Sequence, residues 1–147
     1  MQIREATEAD LESLLQLYTQ LHDNEMPKMT ESLRQLWRRV LLGDGQHVLL
    51  GLDEERIVSS CVLTVIPNLT HGQQPYALVE NVVTHEAYRH QGYATAVLQA
   101  AKAIAQQAHC YKIMLLTGSK LDSTLRFYER AGYNKQDKTA FIQWLST

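Results

Sequence analysis

Cysteine is scarce in this 147-residue chain: there are two, Cys61 and Cys110, far apart and in apolar surroundings. That excludes a disulfide framework and reads as reduced core thiols. Three prolines and seven glycines leave little room for low-complexity linkers. An excess of one charge is lacking too. Fourteen Lys plus Arg stand against 16 Asp plus Glu, so no basic field is available to hold a nucleic-acid backbone. No run approaches the ~18 to 20 consecutive apolar residues of a membrane span. The acidic start (Glu5, Glu8, Asp10, Glu12) is the opposite of a signal peptide's basic opening, so a soluble, cytoplasmic protein is expected. Six histidines are scattered at 22, 47, 71, 85, 90 and 109 without ligand spacing, and no metal is expected. What is present, 45% hydrophobic and 20% charged residues, fits one domain over 1–147.

Periodicity orders the elements. A strand over 2–6 precedes a helix N-capped by Thr7, with Leu11, Leu14, Leu15, Tyr18 and Leu21 on one face. A polar break at 22–29 leads to a helix capped by Thr30, with Leu33, Leu36, Trp37, Val40 and Leu41 apolar and Gly43 at its end. Strands follow over 47–52, 57–66 and 76–84, then an alanine-rich helix over 92–108. A strand over 112–117, a helix over 122–131 stopped by Gly132 and a last strand over 139–145 complete the series, with one more strand possible near Tyr133. The order βααβββαβαβ predicts an α/β fold.

The segment Val82-Val83-Thr84-His85-Glu86-Ala87-Tyr88-Arg89-His90-Gln91-Gly92-Tyr93-Ala94 runs from a strand through a tight loop into a helix. The first N–H groups of a helix have no internal partner and sit at its positive dipole end, so a pyrophosphate can accept several of them. Gly92 would allow close approach, and Ala94 would keep the first turn clear. A glycine also serves a plain strand-to-helix turn.

Arg89-His90-Gln91-Gly92-Tyr93-Ala94, followed downstream by Phe127-Tyr128-Glu129-Arg130-Ala131-Gly132-Tyr133, resembles the GNAT superfamily of acetyl-CoA-dependent N-acetyltransferases over essentially the whole chain. The resemblance implies a mixed, largely antiparallel sheet with helices on both faces. It implies that Arg89, His90, Gln91, Gly92, Tyr93, Ala94 and Thr95 hold the cosubstrate's pyrophosphate, and that the pantetheine arm pairs with Asn81, Val82 and Val83. Tyr128 corresponds to the tyrosine that protonates the departing thiolate; alone, it also reads as a packing residue. Leu121 and Thr124 stand where members often carry Asn and Ala, so backbone-mediated cosubstrate binding is what the resemblance supports.

An attacking amine with a reference pKa of ~10 is almost wholly protonated at pH 7, so a base or a desolvating pocket is required. In Leu78-Val79-Glu80-Asn81-Val82-Val83, alternation puts Glu80 with Leu78 and Val82 in a strand expected to be buried. Glu80 is the base candidate; a structural ion pair or a partly solvated carboxylate is the alternative. Asp23 and Glu25 lie in the break that lines the acceptor site in many members, where they would attract a cationic amine or simply be solvated. The acceptor is expected to be a primary amine attacked directly in a ternary complex, most simply on a small molecule. Glu80-Asn81-Val82-Val83 and Cys110-Tyr111-Lys112-Ile113 are also similar to glucosamine-phosphate N-acetyltransferases. Protein or peptide amines and a non-catalytic CoA-binding role stay open. The apolar stretch Phe141-Ile142-Gln143-Trp144-Leu145 predicts a homodimer.

Overall fold

The near-continuous apolar runs of the central strands dictate a sheet buried on both sides, and a computed structural model, which describes residues 1–22 and 24–146, contains one. The chain forms two compact units, Met1–Leu115 and Leu116–Thr147. The first holds strands β1 (Gln2–Glu5), β2 (Gln46–Asp53), β3 (Arg56–Ile66), β4 (Tyr76–Thr84) and β5 (Ile113–Leu115), and helices α1 (Leu11–Tyr18), α2 (Glu31–Leu42) and α3 (Tyr93–Gln107). The strands lie in the order β1-β2-β3-β4-β5. The first four pair antiparallel and β4 pairs parallel with β5.

Period-two alternation decides which helix each strand residue meets. Val48, Leu50 and Leu52 of β2 join Leu11, Leu14, Leu17 and Trp37 of α1 and α2 in one core, together with Val62 and Val83. Burying each large apolar side chain there contributes about 1.5–3 kcal/mol. The intervening residues face α3. A Cβ built on Gly51 would meet Val97 Cγ1 at 3.4 Å and Ser59 Cβ at 3.2 Å, so the helix approaches the sheet closely at this point. On the same side the Cys61 thiol contacts Val97 O at 3.6 Å. Helices therefore cover both faces of a mixed, largely antiparallel sheet.

Local signals set the helix starts. Thr30 Oγ1 accepts the Leu33 N–H at 3.2 Å as the cap of α2. Thr7 opens a single 3-10 turn, Glu8–Asp10, ahead of α1. Its N–H donates to Asp10 Oδ2 at 2.7 Å, and the same carboxylate takes Arg4 Nη1 at 2.7 Å and Nη2 at 3.0 Å.

The second unit contains helix α4 (Asp122–Arg130). It ends where Gly132 turns into the left-handed region at φ +102°, the Tyr133 N–H closing back onto Tyr128 O at 3.0 Å. The final strand expected over 139–145 is absent, as is a strand near Tyr133. Phe141 and Leu145 are 92% and 94% exposed. An apolar stretch makes a strand only where a neighbour completes its backbone hydrogen bonds, and among the described residues none pairs with this segment.

Candidate active site

Strand β4 carries two irregularities at one place. Its parallel ladder with β5 ends at the Val79–Leu115 pair, although β4 continues to Thr84. Against β3, Val62 pairs with Glu80 and Ser60 with Val83, so β4 has one residue more than β3 across that interval. This is a β-bulge. Asn81 sits in it at φ +53°, the left-handed region that asparagine tolerates better than most residues. On the β5 side, residues beyond Val79 are left without a strand partner among the described residues.

The bulge corrects two expectations for this strand. Simple alternation groups Glu80 with Val82; the register instead puts Glu80 and Val83 on the same face, opposite Val62 and Ser60. Glu80 and Asn81 are also exposed rather than buried. Once the ladder to β5 stops, no neighbouring strand covers them. Val82 is half-buried and Val83 lies in the core beneath α1 and α2.

From the end of β4 the chain crosses a short turn, Glu86–Tyr88, into the loop before α3. Arg89 Nε donates to Thr84 O at 3.2 Å and Gln91 Nε2 to Ala87 O at 3.3 Å, which folds the loop back on itself. His90 adopts φ +62° and Gly92 φ +88°. Gly92 is the N-cap of α3, and the bond from the Ala96 N–H to Gly92 O, 3.0 Å, opens the helical ladder. The N–H groups of Tyr93, Ala94 and Thr95 therefore precede that ladder at the positive end of a 15-residue helix. Tyr93 is buried, its ring edge-on to Tyr88 at 5.9 Å, while Gly92 and Thr95 are exposed. A rigid helix start thus presents open backbone donors.

Beside the bulge lies a hollow of about 340 Å³ lined by Leu15, Tyr18, Leu21, Asn24, Glu25, Pro27 and Asn81. The structure thereby brings Glu25 and Asn81 together. Asp23 lies outside the described residues. Tyr18, a member of the apolar stripe of α1, lines this hollow with Asn81, and burial raises its pKa. An asparagine interrupting an apolar strand was the available signal for this neighbourhood. A second hollow, about 480 Å³, is lined by Glu12, Gln16, Arg56 and His85 among others, and contains none of the expected residues.

Tyr128 belongs to the second unit. On α4 its ring stacks edge-on with Phe127 at 5.2 Å and Tyr133 at 6.4 Å. Neither cysteine offers a ready nucleophile: Cys61 is fully buried, and burial pushes its thiol up to about 12. Cys110 is half-buried, and burial raises its pKa also. Among the described residues no group of three or more His, Cys, Asp or Glu is placed to hold a metal ion. No described helix is long and apolar enough to cross a membrane.

Comparison with known proteins agrees with this geometry. A glucosamine 6-phosphate N-acetyltransferase of Trypanosoma brucei brucei is 28% identical over 142 residues, 94% of this chain and 92% of the relative. The structure of a proposed acetyltransferase from Agrobacterium tumefaciens str. C58 superposes with a TM-score of 0.92 at 35% identity, covering 98% of this chain and 99% of the other. A protein described as a transcriptional regulator from Bacillus halodurans C-125 gives 0.86 at 26%, covering 97% and 99%. The model of the acetyltransferase (GNAT) family matches residues 10–133. With the interrupted β4, the glycine-capped helix start and this match in hand, the chain is placed plainly: it belongs to the GNAT family of acetyltransferases.

Proposed function

We propose that the protein transfers an acetyl group from acetyl-CoA to a primary amine of a small molecule, by direct attack in a ternary complex. The observation that carries this reading is the loss of the β5 ladder after Val79 in a strand that leads straight to the α3 N-terminus. An extended ligand can add to that open edge as a further strand does. The pantetheine arm runs along Asn81, Val82 and Val83, and the pyrophosphate meets the loop from Arg89 to Thr95, where Arg89, His90 and Gln91 shape the approach and Gly92, Tyr93, Ala94 and Thr95 supply backbone. The His85 N–H is bonded to Val58 O on the β3 side at 2.8 Å. Counting back by a strand's two-residue alternation puts the Val82 N–H on the open side, a suitable donor to a developing oxyanion.

In the reaction the amine nitrogen forms a bond to the thioester carbonyl carbon and the carbon–sulfur bond breaks. Tyr128 gives its proton to the departing thiolate. Glu80 takes the proton lost by the amine, directly or through water, which its exposure permits. Asp23 and Glu25 draw the cationic acceptor toward the hollow. No covalent acyl-enzyme is needed, and the inaccessible Cys61 thiol supports a direct transfer. Use of acetyl-CoA and the two free cysteines fit a cytoplasmic enzyme, and the exposed apolar residues 141–145 favour a homodimer.

The test is incubation with acetyl-CoA and a panel of amines while free CoA thiol is followed. Release dependent on an amine supports the reading; none with any amine defeats it. A second reading, acetylation of a phosphorylated amino sugar, is favoured by the name of the trypanosomal relative. Including glucosamine 6-phosphate in the panel decides between them.

A further inference from the structure

The larger hollow, of about 480 Å³, lies apart from the site described above. Glu12, Ser13, Gln16, Leu17 and Gln20 line it from α1 and the turn that follows, whereas Leu15, Tyr18 and Leu21 line the hollow beside the bulge. At about 100° per residue the two sets point to opposite sides of α1, so the helix separates the hollows. The other lining residues come from the start of β3 and the end of β4: Glu55, Arg56, Ile57 and His85. Leu17 and Ile57 are buried, and the rest of the lining is polar.

His85 sets the chemistry of this hollow. Its Nδ1 accepts the Ala87 N–H at 3.1 Å and so caps the short turn Glu86–Tyr88. A ring nitrogen that accepts a backbone N–H carries no proton, which makes the imidazole the neutral tautomer protonated at Nε2. That Nε2 lies 3.2 Å from Arg56 Nη2. A guanidinium only donates, so two N–H groups meet there with no acceptor between them. The ring cannot turn away: the His85 N–H is fixed on Val58 O and its carbonyl takes the Tyr88 N–H, both at 2.8 Å. Arg56 has no carboxylate partner among the described residues, and its other contact is the Tyr88 ring, with Cζ 5.5 Å from the centroid. Gln20 adds a third donor. Its Oε1 accepts the Glu86 N–H at 2.8 Å, which leaves the amide nitrogen as its remaining hydrogen-bonding end.

We propose that this hollow is a second binding site, for a free amino acid: Arg56 Nη2, the His85 Nε2–H and Gln20 Nε2 take its carboxylate, and Glu12 and Glu55 take its ammonium. A carboxylate oxygen supplies the acceptor that the Arg56–His85 pair lacks, and the planar guanidinium suits a carboxylate's two oxygens. Glu12 and Glu55 line the same hollow, both exposed and without an ion pair among the described residues. They oppose a phosphate, whose second negative charge they would repel, and favour a ligand that carries its own cation. Ser13 and Gln16 are left to meet the ligand's side chain. The site adds to the transferase reading and does not rest on it.

The experiment titrates the whole chain, without acetyl-CoA, with L-glutamine, L-alanine, acetate and inorganic phosphate in a calorimeter. Both amino acids are expected to bind saturably and about 10-fold or more tighter than acetate or phosphate, because only they engage both charged ends of the hollow. Arg56→Gln removes the cation. Gln20→Glu keeps an oxygen for the Glu86 N–H and replaces the donor with a second oxygen. Each is expected to weaken L-glutamine about 10-fold or more, as the loss of a hydrogen bond to a charged group predicts; circular dichroism checks that both fold. Replacing both acids, Glu12→Gln with Glu55→Gln, is expected to weaken L-glutamine and strengthen acetate. No saturable binding of either amino acid, tighter binding of phosphate than of L-glutamine, or an unchanged L-glutamine affinity in Arg56→Gln or in the double variant overturns the inference. None of these results bears on the CoA-release assay that tests the transferase reading. Nitrogen chemical shifts of the His85 ring read the donor pair in the unaltered protein: a proton on Nε2, with a shift that moves on adding L-glutamine, supports the site, and a proton on Nδ1 refutes it.

Discussion

Gly92→Val perturbs the element on which cosubstrate binding depends most. At φ +88° the backbone is in the left-handed region, where an L residue pays about 1–2 kcal/mol and a β-branched one more. Packing adds little: the one atom within 4 Å of an added Cβ is Met1 Cε, at an ordinary 3.9 Å. The loop therefore relaxes toward negative φ without unfolding the sheet, and in doing so turns the N–H groups of Tyr93 and its successors away from the phosphates. A hydrogen bond to a charged group contributes about 1.5–3 kcal/mol. Losing two of the weaker kind costs about 3 kcal/mol, a rise of roughly 100-fold in the CoA Kd. Titration calorimetry measures the affinity, and circular dichroism checks that the variant is folded. Acetyl-pantetheine, which lacks the pyrophosphate, is the control and is expected to bind both proteins alike. In melting experiments the stabilisation by CoA, RT ln(1 + [L]/Kd), shrinks in step with the affinity. A folded Gly92→Val protein that binds CoA within threefold of the wild type refutes the phosphate-loop assignment.

Tyr128→Phe is expected to leave acetyl-CoA binding intact and lower kcat about 100-fold, in line with general acid catalysis; pre-steady-state measurement of the chemical step checks it, and wild-type turnover reduces Tyr128 to packing against Phe127 and Tyr133. Glu80→Gln is expected to remove the enzyme's own limb from the pH dependence of kcat/KM while the acceptor's titration persists; an unchanged rate and profile dismiss Glu80 as the base. Asp10, held at about 2 chiefly by its hydrogen bonds from Arg4, has a depressed pKa, so its contribution is fully present above the ordinary carboxylate value near 4 and is lost as pH falls from there toward 2. With the partly exposed Arg4 discounted for solvent screening, that contribution is about 1–2 kcal/mol; acid unfolding of Asp10→Asn should show a correspondingly flatter limb, and an unaltered limb contradicts the assignment. Sedimentation is expected to show a concentration-dependent dimer, and a constant monomer mass rejects a second copy over residues 141–145.

Short-range physics was legible in the chain itself. The apolar stripes of α1, α2 and α3 recur at helical spacing, Thr30 caps with its own side chain, and Gly92 stands at the turn from strand to helix; each depends on a few neighbouring residues. The glycine loop and the Phe127-to-Tyr133 stretch likewise carry their meaning within a handful of positions. Strand pairing does not. Nothing within Leu78 to Val83 says that the β5 ladder stops at Val79, or that β4 takes an extra residue against β3; both are properties of the partner strands. That is why Glu80, whose apolar neighbours predict burial, emerges exposed, and why alternation, right about Leu78, groups it with Val82 where the register puts Val83. It is also why the apolar tail at 139–145 is no strand: its residues suit an extended segment but do not supply the second backbone that a ladder requires. The meeting of Tyr18 and Asn81 around one hollow joins residues 63 positions apart, and only the packing of α1 on the bulged sheet brings them to it.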